Sequence, residues 1–235
     1  MKKTIIKITF LLLFSHQIFS QYNKNITAET IVNNSIIAIG GKEYLKSIKT
    51  LYTDIKTEME GRDVNWVTKE MLPNKGSFEV VYKDRIVYQN WFDGISGYEI
   101  VNGEKKEAAH DEFKDKIFKN NIFNELDYLD PQLWTLDLIG KVKVGTKTCY
   151  KIKAELINGL VKFVYFDIKT FYIIKTEKVL NLEKDSFMVL LYSKFKKFEN
   201  LTSATEIKFG DGKNFQKGKI MRLLINENIT ESDFN

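Results

Sequence analysis

Cysteine, histidine and proline are the scarce residues of this 235-residue chain, present in one, two and two copies. The single cysteine, Cys149, excludes an internal disulfide, so burial of apolar surface has to hold the fold. A hydrophobic content of 43% is enough for that. Catalysis by Ser-His-Asp or Cys-His arrangements needs a histidine, and neither His110 nor Cys149 has a nucleophile signature around it. His110 reads as an exposed residue in the first turn of a helix, beside Asp111 and Glu112. Cys149, between Thr148 and Tyr150, reads as a small core residue on a strand. Zinc sites need several His or Cys at defined spacing, so no metal is expected. Glycine-rich phosphate loops are also missing, and no cofactor is expected.

Long apolar runs are scarce too. The one candidate, Ile8 to Phe14, follows Lys2, Lys3 and Lys7 and precedes Ile18-Phe19-Ser20. That order reads as a secretory signal cleaved near Ser20, and the run is far shorter than the ~20 residues that span a bilayer. We therefore expect residues 1–20 to be a signal peptide and residues 21–235 a single domain outside the cytoplasm, with no transmembrane anchor. A lipid-modified signal would need a cysteine directly after the cut, and Cys149 is far from it. Removal of the leader takes away three lysines and no acidic residue, so the net charge falls from +5 to +2. A surface this balanced argues against nucleic acid as a partner.

Thr27 can cap a helix whose inward stripe is Ala28, Val32, Ile36 and Ile39, and Gly40-Gly41 stops it. A second short helix follows from Lys42 to Ile48. From Thr50 to about Val101 the pattern is alternation between turns at Gly61, Pro73-Asn74, Lys83-Asp84, Asp93-Gly94 and Asn102-Gly103. Residues His110 to Leu129 place Phe113, Ile117, Phe118, Ile122, Leu126 and Leu129 on one broad helical face. Leu133 to Ile139 then continue as an apolar connector, and strands resume from Lys141 to Ile225. The fold class is mainly β (α+β): a long antiparallel sheet with an N-terminal helix and a mid-chain lid helix.

Several late strands are apolar on both faces. Met188, Leu190 and Tyr192 oppose Phe187, Val189 and Leu191. Both faces must therefore be covered or must line a cavity, since antiparallel sheets usually leave one face wet. A concave apolar wall with a movable cover suits a lipid-like chain. Candidate wall residues are Phe78, Val80, Tyr88, Phe92, Phe163, Tyr165, Met188 and Leu190, with Phe118 and Ile122 as lid contacts. Three readings stay open on the residues alone: a binder or carrier of lipid-like ligands, an envelope scaffold that grips a peptide or protein partner, and a hydrolase using carboxylates such as Asp111 and Glu112.

The order of several short motifs resembles the outer-membrane lipoprotein-sorting family of LolA-type periplasmic carriers, in a divergent form. These motifs are Ala38-Ile39-Gly40-Gly41-Lys42-Glu43-Tyr44-Leu45, Leu72-Pro73-Asn74-Lys75, the hairpin from Tyr88 to Gly97-Tyr98, and the ending Leu224-Ile225-Asn226 to Phe234. The resemblance spans nearly all of the mature chain. It implies an unclosed antiparallel half-barrel, covered by a lid helix and located in the periplasm, that carries the acyl chains of lipoproteins without a cofactor or catalysis. Two positions depart from that pattern. Leu72 stands where such carriers place an arginine that helps control the lid, and Leu201-Thr202-Ser203-Ala204 stands where they have a Gly-x-x-Phe-Pro element.

Overall fold

The computed structural model describes residues 26–109 and 113–235, so the expected leader and His110 lie outside the described residues. Helix α1 (Ala28–Ile39) begins where the Thr27 hydroxyl accepts a hydrogen bond from the Thr30 N–H at 3.2 Å. Its buried face is Ala28, Ile31, Val32, Ser35, Ile36 and Ile39, the i, i+3, i+4 stripe of an amphipathic helix. Gly40 ends it at φ +152°, where an added Cβ would lie 2.9 Å from the Asn200 carbonyl oxygen. Close approach of two backbones therefore requires glycine there. Helix α2 (Lys42–Ser47) adds buried Leu45.

Six strands follow: β1 (Thr50–Met59), β2 (Arg62–Met71), β3 (Lys75–Tyr82), β4 (Arg85–Phe92), β5 (Gly97–Val101) and β6 (Glu104–Glu107). After a long crossing come β7 (Trp134–Val144), β8 (Lys147–Leu156), β9 (Val161–Asp167), β10 (Ile173–Asn181), β11 (Ser186–Phe198), β12 (Leu201–Gly210) and β13 (Phe215–Ile225). Tight turns dictate neighbour pairing. Asn102 and Gly103 both hold positive φ, at 54° and 81°, the geometry whose twist matches that of a hairpin. The strands form one antiparallel sheet in the order β6-β5-β4-β3-β2-β1-β13-β12-β11-β10-β9-β8-β7. The first and last strands zip two meanders together, through pairs such as Leu51 with Ile225. β6 and β7 remain as free edges, so the barrel is not closed.

This topology decides where the mid-chain segment goes. Residues 108–133 connect one free edge to the other and must cross a face of the sheet. They cross the face that carries α1. Ile122, Leu126 and Tyr128 join Ile31, Ile36 and Ile39 against Ile152, Leu156, Val164, Phe166, Leu201 and Ile225 in the main core.

Two local expectations are corrected. In place of a continuous helix from His110 to Leu129, the described part holds a 3-10 turn, Lys116–Phe118, and a one-turn helix, α3 (Asn124–Asp127). The cause is Asn121, whose backbone N–H and side-chain amide both donate to the Asp127 carboxylate, the latter at 2.7 Å. Such local bonds offer the chain an alternative to the helical ladder. The apolar connector is the opening of β7. Trp134, Leu136 and Leu138 pair with Leu156, Ala154 and Ile152 on the covered face, until an irregularity between Leu138 and Gly140 exchanges the faces. Val142 then packs on the opposite side with Cys149, Tyr165 and Ile174.

Candidate site on the covered face of the sheet

Residues directly paired across antiparallel strands share a face, so a few contacts from the cover assign every strand. Glu70 on β2 forms an ion pair with Lys119 of the cover. Phe113 of the cover stacks on Phe92 of β4, ring centroids 5.8 Å apart, and lies against Gly97 of β5. Lys178 on β10 reaches Asp115 at 3.4 Å. From Glu70 the register places Thr68 and Trp66 on the covered face, then Phe78 and Val80 of β3, and Tyr88 and Asn90 of β4. From Lys178 it places Thr176, Met188 and Leu190 there, with Lys162 and Val164 of β9.

Eight of the ten sequence-derived candidates thus lie on the covered face or in the cover: Phe78, Val80, Tyr88, Phe92, Met188, Leu190, Phe118 and Ile122. Phe163 and Tyr165 point to the other face. There Lys151 sits over both rings, at 4.2 and 5.4 Å, and the Tyr165 hydroxyl donates to Glu177. Phe163 alternates with Val164 along β9, and apolar residues on both faces of a strand do not by themselves tell the faces apart.

The covered face divides into three regions. The first is an aromatic floor that sequence reading did not assemble. Trp66 meets Phe78 edge-on at 5.4 Å and Phe209 at 4.3 Å, and Phe78 meets Tyr88 at 6.2 Å. Trp66 and Phe209 lie on β2 and β12, with β1 and β13 between them. The curl of the sheet brings them together, helped by Gly218, whose missing side chain leaves room beside Ile55 and Phe209. The floor fills its part of the hollow with its own rings.

The second region is a cavity of about 200 Å³ between the end of α1, α3 and strands β10–β13. Its wall includes the apolar Ile39, Phe123, Ile173, Leu201 and Ile220, the aromatic Tyr128, Tyr192 and Phe195, and the polar Thr176, Thr202 and Ser203. The Glu125 carboxyl also faces it. Burial raises the pKa of Glu125 above the usual carboxylate value, against the weak opposing pull of Lys119.

The third region is a neighbouring cavity of about 190 Å³ under the cover, which shares Asn124 with the second. Its wall is largely charged: Asp115, Lys116, Lys119, Asp127 and Lys162, with Trp134 and Leu156. Glu70, beside it, is held below its ordinary pKa. Burial works in the other direction, but Lys119 and Lys116 together outweigh it. Lys116, Lys119, Lys162 and Lys178 were passed over in the sequence. The available signal was a lysine in phase with apolar residues, as Lys162 is with Val164 and Phe166.

The fold and this layout define a class: an open antiparallel half-barrel whose concave face is crossed by a cover that leaves small cavities beneath it. No family model and no curated protein matches the chain. Solved structures do match, and they carry the LolA-like fold. A LolA superfamily protein from Nitrosomonas europaea superposes with a TM-score of 0.60 at 9% identity, covering 89% of this chain and 98% of that one. A domain described as an outer membrane lipoprotein-sorting protein, from Vibrio parahaemolyticus, gives 0.57 at 14% identity, with 88% and 95% covered. A DUF1329 family protein from Desulfovibrio piger gives 0.57 at 12% identity, with 88% and 96% covered. The chain has their fold. Among the described residues no helix is long and apolar enough to cross a membrane.

Proposed function

We propose that the protein is a periplasmic, non-catalytic binder or carrier of a lipid-like chain, taken up on the covered face of the half-barrel. The observation that carries this reading is the apolar cavity between α1, α3 and β10–β13, closed by a cover rather than by the sheet itself. The same fold in structures named for lipoprotein sorting supports it. Burying a 16-carbon chain yields on the order of 12 kcal/mol before costs, at ~0.8 kcal/mol per CH₂. A carrier therefore needs little polar machinery. At about 200 Å³ the cavity is smaller than the ~300 Å³ at which ligand pockets usually begin. Loading thus requires the cover to shift, and Phe118 and Ile122 to move with it. Phe78, Tyr88 and Leu190, joined through Trp66 and Phe209, form the floor onto which a longer chain would extend.

The test is native mass spectrometry of protein purified from cells expressing the whole chain, followed by titration with a fluorescent fatty acid. We expect a co-purifying lipid mass or saturable uptake that palmitate displaces. A ligand-free protein that takes up no probe would overturn the reading. In that case the self-filled aromatic floor favours the second reading, an envelope scaffold that binds a protein partner and is indifferent to delipidation.

A further inference from the structure

Like charges placed directly opposite each other on neighbouring strands repel. Lys162 and Lys178 are such a pair, on β9 and β10, and both face the cover. The cover brings two more ammonium groups to the same place, Lys116 and Lys119. Among the described residues three carboxylates stand nearby with partners of their own, and a fourth, Glu125, faces the neighbouring cavity. Glu70 pairs with Lys119, Asp115 with Lys178, and Asp127 takes its bonds from Asn121. Lys116 and Lys162 are left without a hydrogen bond or ion pair among the described residues, though both are half-buried. Lys162 has only the face of Trp134, 5.6 Å away. Lys116 reaches toward Gly76, where an added Cβ would lie 2.9 Å from its ammonium nitrogen.

Unpaired, half-buried cations are costly unless something neutral or negative meets them. The cost shows in their titration. Burial, with little relief from Asp115, brings Lys162 down to about 8, and burial with repulsion from Lys119 lowers Lys116 despite Glu70. The cavity they line and the apolar cavity share Asn124 in their walls. A charged hollow and an apolar hollow meeting at one residue have the polarity of an amphiphile.

We propose that Lys116 and Lys162 receive the anionic head, carboxylate or phosphate, of an amphiphile whose chain runs past Asn124 into the apolar cavity. This rests on the carrier reading for the chain and adds the charge of the head. Lys119 and Lys178 are then the spoken-for cations that set the local field, and Lys116 and Lys162 are the ones with valences to spare.

The test is calorimetric titration of the purified whole-chain product with dodecanoate below its micelle-forming concentration, dodecanol below its solubility limit, and inorganic phosphate. We expect dodecanoate to bind at least about tenfold more tightly than dodecanol. The K116Q/K162Q variant should lose that preference while still binding dodecanol, and K116R/K162R should keep it. An equal charge change at the exposed end of β11, K196Q/K197Q, should leave it intact and guards against a net-charge effect. Dodecanol binding as tightly as dodecanoate to the unsubstituted protein overturns the head-group site and leaves carriage standing. So does a preference that survives in K116Q/K162Q. Phosphate binding that depends on Lys116 and Lys162, with no binding of dodecanol, overturns the amphiphile and assigns the lysines to a free anion. Binding of none of the three overturns both readings. Unchanged circular dichroism in K116Q/K162Q separates a lost site from a lost fold.

Discussion

The Glu70–Lys119 ion pair ties the cover to the sheet, and its energy can be worked out and measured. The two side chains are 26% and 17% exposed, so water screens the pair only in part. Exposed pairs contribute ~0–1 kcal/mol, whereas removing one member of a fully buried pair costs ~3–5 kcal/mol. Three-quarters burial puts Glu70→Gln at roughly 2–3 kcal/mol, because it also leaves Lys116 and Lys119 facing each other unshielded. Lys119→Gln should cost less, about 1–2 kcal/mol, since Lys116 remains to balance Glu70. A domain of this length loses ~2–4 °C of Tm per kcal/mol, so Glu70→Gln should melt roughly 4–12 °C lower at pH 7. The double variant should recover part of the sum, a coupling of about 1 kcal/mol. The pH dependence has a fixed sign. The pKa of Glu70 is depressed in the folded state below its ordinary 4.5, so its contribution is complete above that value. It is lost as pH falls through the lower folded value. The penalty of Glu70→Gln should therefore vanish in strong acid. A Tm within 2 °C of the parent at pH 7, or a penalty that persists unchanged at pH 3, would refute the assignment.

Glu125→Gln should act with the opposite sign. The folded pKa of Glu125 is raised by burial, so its favourable contribution is present when protonated and is lost as pH rises through that value. The neutral amide should raise Tm at pH 7 and give no gain at pH 4; a loss at pH 7 would contradict the burial argument. At the other end of the chain, Phe234 is fully buried in a 3-10 turn, Glu231–Phe234, fastened by Lys69 to Asp233 at 2.8 Å and Glu79 at 3.0 Å. Phe234→Ala should cost about 3–5 kcal/mol in urea unfolding, and a value under 1 would show that the terminus is not docked. The Cys149 thiol is fully buried, and burial, then Asp167, raises its pKa. A maleimide should label it only after denaturation; rapid labelling of the native protein would place it elsewhere.

Much of the architecture was legible because tight turns and alternation are local signals. Asn102-Gly103 and Lys83-Asp84 dictate hairpins whatever else the chain does, and the Thr27 cap with Gly40 marks the ends of α1. The cover was misread for the converse reason. Its apolar residues keep helical spacing, but Asn121 and Asp127 satisfy each other locally and break the helix. Phe163 and Tyr165 were misjudged as covered residues because a strand apolar on both faces leaves its orientation to long-range register. Only Lys178 reaching Asp115, across 63 positions, fixes it. The aromatic floor was illegible altogether, since Trp66 and Phe209 meet through the curl of four strands.

The departure at Leu72 ties these points together. Leu72 shares the covered face with Glu70 and packs into the main core, so it offers the cover no charge. In the LolA-type carriers that the sequence resembles, an arginine stands at the corresponding place. Here the sheet supplies the acid, Glu70, and the cover supplies the bases, Lys116 and Lys119. A latch arranged this way turns positive charge inward from the cover, and β9 and β10 meet it with Lys162 and Lys178. Among the described residues, four cations against Glu70, Asp115 and Asp127 leave an excess beneath the cover. An excess confined to a cavity, rather than spread over a surface, selects the charge of what enters and does little to steer distant partners. The polarity of the latch and the charge of the proposed head group are thus one feature, and moving the acid from position 70 should alter both together: a weaker hold on the cover and a tighter hold on an anion.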